Sequence, residues 1–528
     1  MDASQQKASD FRNACHNFFN HPQVNVILTA ALTLTAGYFG IMALLHRWVF
    51  FPFEPATLEE MAAQPDVFLT IAVIFFVYMV SLIACKIADL AWVKPALGAI
   101  IFGVMVRNIT HFANIRILDP LLDETLRYLA LCIILIRCGL RLNAELISTN
   151  WILPVGLSMI SVLVEVAALI LASHLIFGLP VYVAFILGFM LAATSCSTLL
   201  PTMRHFQYMN QGTEKSIPAL VLTSSALDNM LCIFVSLVLI AIQFSTGNIA
   251  TTIILVIGEA LVGVIVGAVV GGFLWVFPRR QEKFKHFARS LALLAASIAF
   301  VFGANRLDCL FAGVLATLAA TVTAQRMWRC DYDGENVDDD ETVEARWFSR
   351  LWRIFAEPLV FCLLGMQLNF ATLTWGTFLS GLAIVAIGLV FRAIATFFLT
   401  FCNELNVQEK TFTMICSIPK GSVQAAVGTT LVALLLAVPE LTQWAPLVVS
   451  ALVCSAGIAG SVGHLFVRVF GPFLLQYDFP ETIHISNPNH NSYVETVKVD
   501  DDANGLVTFK QFKTITQVQS EGRRPYQF

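Results

Sequence analysis

Charge is scarce in this chain. Of 528 residues only 13% are Asp, Glu, Lys or Arg, while 57% are hydrophobic. That balance excludes a water-soluble globular fold. A basic excess is also missing, for the formal net charge is −4. The footprint of a nucleic-acid binder is therefore absent. The 12 cysteines form no CxxC pair and keep no regular spacing. They read as small buried hydrophobes rather than a disulfide or metal framework. No HExxH occurs, and no Ser/His nucleophile arrangement lies inside the apolar segments, so neither an enzyme nor a cofactor is expected. His174 and His464 fall near segment ends, where solvated histidines are expected. A cleavable leader is not evident either. The polar residues 1–24 precede a full-length apolar segment without a small-residue cleavage site.

Long apolar runs dominate instead. Each of about 20 residues can cross roughly 30 Å of hydrocarbon. The pattern predicts an all-α membrane protein with about fourteen spans. Their expected positions are 25–45, 67–90, 95–109, 126–142, 151–176, 180–203, 217–242, 251–277, 291–304, 307–324, 354–370, 378–401, 412–437 and 445–474. This gives a cytoplasmic segment 1–24, a transporter domain 25–477 and a polar tail 478–528 expected to be disordered. Basic residues collect in loops after even-numbered spans, such as Arg204 and Lys215, which places both termini in the cytoplasm. The plasma membrane is the expected location, with the lipid bilayer as first partner.

Four ionisable residues lie well inside spans: Glu165, Asp228, Arg392 and Lys420. A charge at bilayer depth costs about 3 kcal/mol by insertion scales. Two acids and two bases suggest two buried ion pairs. Six-span repeats over about 67–243 and 290–475, joined by a linker helix at about 251–277, put Glu165 and Arg392 on matching fourth spans. The run Thr194–Thr198 and the triplet Pro419-Lys420-Gly421 then fall on matching fifth spans. Both read as helix breaks, since Pro removes a donor and Gly loosens the backbone. Broken helices at matching positions of inverted repeats mark transport sites.

Two further features have plain readings. Gly263, Gly267 and Gly271 form a small-residue stripe for close helix packing, against this chain or a second subunit. Asn108-Ile109-Thr110 is a glycosylation sequon too near the membrane to expect its use. Glu259 near the stripe is not placed by the sequence.

With these residues in view, the chain resembles the cation/proton antiporter superfamily, and within it the animal NHA branch of sodium/hydrogen exchanger 9B-like proteins. The likeness spans about residues 67–475. It is carried by LGAIIFGVMVRNI (Leu97–Ile109), VEVAALILASHLIFGLP (Val164–Pro180) and LGFMLAATSCSTLLPTM (Leu187–Met203). EKSIPALVLTSSALDN (Glu214–Asn229), GLVFRAIATFF (Gly388–Phe398) and IPKGSVQAAVG (Ile418–Gly428) complete it. The resemblance implies inverted six-helix repeats with two unwound crossing helices, a mobile core, a scaffold domain that forms a homodimer, and an elevator-like motion. It implies that Asp228 is the first carboxylate of the family's Asp-Asp pair and that Lys420 partners it. Arg392 and Glu165 correspond to a neighbouring buried pair, and Ser195 to the unwound crossing.

Two departures stand out. Cys196 occupies a position where the family has proline. Asn229 occupies that of the second aspartate, the main cation and proton ligand. Neighbouring helix positions point about 100° apart, so Asp-Asn is not equivalent to Asn-Asp. The expected activity is sodium or lithium exchange for protons at Asp228, the expected metal ligand, with Asn229, Ser195, Thr194 and backbone carbonyls as neutral ligands. Two alternatives compete with it. One is proton-coupled chloride transport, favoured by the missing negative charge. The other is a transport-inactive homologue acting as partner or sensor.

Overall fold

The computed structural model describes residues 35, 66–91, 93–109, 120–142, 151–244, 249–278, 284–329, 342–402, 405–477, 482–485 and 495–498. The expected first span, but for Thr35, and the acidic loop Asp331–Glu341 lie outside them. The chain forms two compact units, Met1–Gln476 and Tyr477–Phe528. In the second, β1 (Thr482–Ile485) pairs antiparallel with β2 (Glu495–Lys498), with Thr482 opposite Lys498.

Among its described residues the first unit is helical. Its elements are α1 (Asp66–Leu90), α2 (Pro95–Asn108), α3 (Pro120–Gly139), α4 (Ile152–Leu171), α5 (Val181–Ala192), α6 (Cys196–Tyr208) and α7 (Ile217–Phe244). After them come α8 (Ile249–Val276), α9 (Lys285–Arg306), α10 (Leu310–Arg329), α11 (Val343–Leu351) and α12 (Glu357–Met366). The unit ends with α13 (Trp375–Leu399), α14 (Val407–Ile415), α15 (Ser422–Ala426), α16 (Gly428–Ala437), α17 (Ala445–Val453) and α18 (Gly460–Leu474). Among the described residues six helices are long and apolar enough to cross a membrane, and four of these run within Ile152–Arg306. π-Turns at Trp352–Ala356 and Cys454–Ala459 join α11 to α12 and α17 to α18.

Close backbone approach organises the packing. A Cβ at Gly267 would overlap the Ala316 carbonyl oxygen, and Gly263 and Gly271 press as closely on Ala312 and Ala320. The stripe on α8 therefore belongs to α10 of the same chain. The far side of α8 exposes Ile254, Leu261 and Ile265, an apolar face suited to lipid. Glu259 is half-buried on this helix and accepts from the Ala312 backbone. Gly103 of α2 and Gly365 of α12 likewise press on each other's helices. Asn108 ends α2. Its amide donates to Val104 O at 2.8 Å and Leu368 O at 2.9 Å, while its oxygen accepts from Phe370 N at 2.8 Å. The sequon asparagine is thus consumed in joining α2 to the chain after α12; Thr110 lies outside the described residues.

Expected boundaries differ at several helix starts: α3 begins at Pro120 and α9 at Lys285, each six residues early, and one difference is larger. The segment expected to begin at Ile354 starts helically at Val343, capped by the Thr342 hydroxyl, which accepts from Ala345 N at 3.3 Å. Arg346, Arg350 and Arg353 interrupt the apolar run, but an amphipathic first half continues the helix and buries Ala345 and Phe348.

Candidate functional site

Two helices stop in mid-course. The backbone is non-helical from Ala193 to Ser195, and again between Ile415 and Ser422. There the two stretches meet in one antiparallel bridge, Thr194 with Lys420, and Ser195 N donates to Pro419 O at 2.7 Å. Both breaks fall where the sequence places them. Proline at position 196 is not needed: Cys196 opens α6, and exposed backbone groups are satisfied by the crossing itself. Hydroxyls assist, with Thr198 Oγ1 donating to Ser195 Oγ at 2.8 Å and Ser195 and Ser197 hydroxyls 3.0 Å apart.

The last carbonyls of α5 lack helical donors. Lys420 donates to Ala192 O, and Gln424 Nε2 lies 3.0, 3.1 and 3.0 Å from the oxygens of Met190, Leu191 and Ala193. Positive and neutral donors thus meet the negative end of a helix dipole.

All four ionisable residues converge beside this crossing, buried. Arg392 of α13 is the bridge. Its Nη2 donates to Asp228 Oδ2 at 2.8 Å, and its Nη1 lies 3.3 Å from Glu165 Oε2. Lys420 Nζ lies 2.8 Å from Glu165 Oε1. The expected pairing of Glu165 with Arg392 is present, but that of Asp228 with Lys420 is corrected: the order is Asp228, Arg392, Glu165, Lys420. The cause is geometric. A planar guanidinium fork reaches two carboxylates at once, whereas the lysine ammonium is drawn to the α5 terminus and the acid next to it. The remaining Asp228 oxygen accepts from the Cys232 thiol at 3.3 Å. Thr194 Oγ1 accepts a long hydrogen bond of 3.4 Å from Arg392.

Asn229 turns away from this row, as adjacent helix positions must. It is 1% exposed, makes a side-chain hydrogen bond with Cys138, and its Oδ1 has no hydrogen-bond partner among the described residues. A narrow cavity of about 30 Å³ borders Asp228 and Arg392. Hydroxyls of Thr194, Ser224, Ser225, Thr413 and Ser417 line it. That volume admits a water or a small cation. A larger cavity of about 400 Å³ lies between α2 and the Cys454–Ala459 turn, lined by no Asp, Glu, Lys, Arg or His. Among the described residues no cluster of three or more His, Cys, Asp or Glu could hold a metal.

Histidines divide. His174 is exposed, its Nδ1 2.8 Å from Leu179 O. His464 is half-buried rather than solvated, because α18 packs inward at that turn. Gln424, Lys94 and Cys232 belong to the site as well, though no sequence pattern singles them out. A signal for Gln424 exists: an amide alone in an apolar stretch, four positions after the buried lysine.

The profile described as "Sodium/hydrogen exchanger, transmembrane" matches residues 95–469. The chain belongs to the sodium/hydrogen exchanger family. Human sodium/hydrogen exchanger 9B2 is 30% identical over 395 residues, covering 74% of this chain and 71% of its own. Human sodium/hydrogen exchanger 9B1 is 28% identical over 410 residues, covering 76% and 78%. The structure of the sodium proton antiporter MjNhaP1 from Methanocaldococcus jannaschii at pH 8 superposes with a TM-score of 0.61, over 78% of this chain and 99% of that one. At 16% identity that likeness establishes a common fold. This exchanger is thus an integral membrane protein of a transporter family.

Proposed function

We propose that this exchanger moves sodium or lithium against protons, with Asp228 as the exchanging carboxylate. One observation carries the reading: a fully buried aspartate, beside the crossing of two broken helices, borders a hydroxyl-lined cavity large enough for one small ion.

The charges suggest how exchange proceeds. Asp228, Glu165, Arg392 and Lys420 sum to zero, so the empty site is neutral and closed by its own ion pairs. Opposite charges 4 Å apart attract by about 4 kcal/mol at an effective dielectric constant near 20. An incoming cation recovers that loss when it takes Asp228 from Arg392, which keeps Glu165. A proton on Asp228 releases the guanidinium in the same way. Both loaded states carry one positive charge more than the empty state. Competition for one carboxylate then exchanges cation for proton one for one, without net charge transfer. The hydroxyls of Thr194 and Ser195 and backbone carbonyls are neutral ligands of the kind hard cations accept, whereas the Asn229 oxygen lies on the neighbouring face.

The proposed exchanger has inverted repeats over about 67–243 and 290–475 around a linker at about 251–277, and a core that moves elevator-like against a scaffold. It is a homodimer of the plasma membrane with both termini in the cytoplasm. Chloride transport is the weaker reading, since both cations that would attract an anion already face carboxylates. Purified protein in vesicles separates the possibilities. A pH-gradient response to sodium or lithium that Asp228→Asn abolishes supports exchange. A response to chloride with none to sodium overturns it in favour of anion transport, and silence in all salts in favour of an inactive homologue.

A further inference from the structure

A single peptide group is gripped on both of its polar atoms by buried side chains. The Lys94 ammonium, at the start of α2, donates to Lys420 O at 2.8 Å. From the other side, Gln424 Oε1 accepts from Gly421 N at 2.8 Å. Lys94 is 2% exposed and Gln424 0%. Neither side chain is free to turn. Lys94 lies over the Phe361 ring, 5.1 Å from its centroid. The amide nitrogen of Gln424 is spent on three carbonyls at the end of α5.

We propose that Lys94 and Gln424 are positioning residues for exchange: by fixing the Lys420–Gly421 peptide they aim the Lys420 ammonium at Glu165 and so leave Arg392 to Asp228. The inference rests on the exchange reading above. The orientation of that peptide sets the direction of the Lys420 side chain. With the peptide released, Lys420 leaves Glu165, and the guanidinium is drawn from Asp228 toward the uncompensated acid. The carboxylate for which sodium and protons compete is then no longer held in its native geometry, so sodium binds less well and the competition shifts. Asp228, Glu165, Arg392, Lys420 and the Cys232 thiol are the titratable groups of this row, and the clamp touches none of their side chains except through Lys420; Lys94 itself faces Glu357 of α12 and His464 of α18.

The test uses purified full-length protein in vesicles and two readouts. Lys94→Met and Gln424→Leu should each raise the apparent KM for sodium several-fold, retain most of the maximal rate, and shift the pH–activity profile. Gln424→Glu keeps an acceptor for Gly421 and, when protonated, a donor for α5. It should therefore rescue exchange at the acidic end of the profile only. Independently of transport, hydrogen exchange should accelerate in segments 188–196 and 418–426 of both variants and nowhere else. Unchanged hydrogen exchange there overturns the clamp, even in a transporting protein. A fall in rate or yield with KM and pH profile unmoved shows mere structural support and also overturns it. A wild type silent to sodium defeats the exchange reading, while the hydrogen-exchange comparison still decides the clamp.

Discussion

Lys420 holds Glu165 at 2.8 Å and leaves Asp228 to another cation. The consequence is a division of labour between two acids of similar burial. One is fixed by the lysine of a broken helix; the other is held by a guanidinium that has a second carboxylate to fall back on. In the proposed exchange the second is the acid that changes partners.

Removing that guanidinium should be severe. Arg392→Ala leaves Asp228 without a cation and Glu165 with one in place of two, in a site almost closed to water. Breaking a buried ion pair costs about 3–5 kcal/mol. The melting temperature of the purified protein should fall markedly, and Arg392→Ala combined with Asp228→Asn should recover part of the loss. A double variant no more stable than Arg392→Ala would refute the pairing.

Asn229→Asp adds a carboxylate on the neighbouring face, against Cys138. It makes the empty site net negative and should increase sodium-dependent exchange in vesicles. An unchanged rate would mean that position 229 takes no part in ion binding.

Gly267 has no room for a side chain, whereas Gly258 on the same helix has nothing within 4 Å of where a methyl would stand. Gly267→Val should destabilise the α8–α10 contact by about 1–3 kcal/mol, the usual range for overpacking. Gly258→Ala should be neutral or slightly stabilising, as expected of Ala for Gly in a helix. Thermal melting of the two variants side by side checks both.

Outside the membrane, burial pushes the Glu344 carboxyl up, but the hydrogen bond from His286 at 2.9 Å and the nearby Arg289 outweigh it and hold the group below the usual carboxylate range. A depressed acid stabilises the fold above its unfolded value of about 4.3. That contribution is lost as pH falls through the lower folded value. The docking of α11 should therefore weaken only in strong acid, and Glu344→Gln should flatten that limb of a melting-temperature-against-pH curve.

Both helix breaks are legible in the chain because they are local. A Ser/Thr run and a Pro-Lys-Gly triplet change what the backbone can do wherever they sit. The four buried charges are equally plain, since apolar spans make any exception visible. Their pairing is not, because it depends on which side chain reaches furthest across three helices. Arg392 reaches two acids, and no spacing in one dimension records that. Gln424 stays hidden for a related reason. An amide carries no charge to draw the eye, and three of its partners lie at the end of a helix more than two hundred residues away. The early start of α11 is obscured by arginines that interrupt hydropathy without interrupting the helix.

Gly421 has φ of +149°, and a Cβ there would collide with Lys94 Nζ. An ammonium from the far end of the chain thus rests against a bare α-carbon. Widening the one evicts the other, so the bare α-carbon at 421 is a condition of the Lys94 contact.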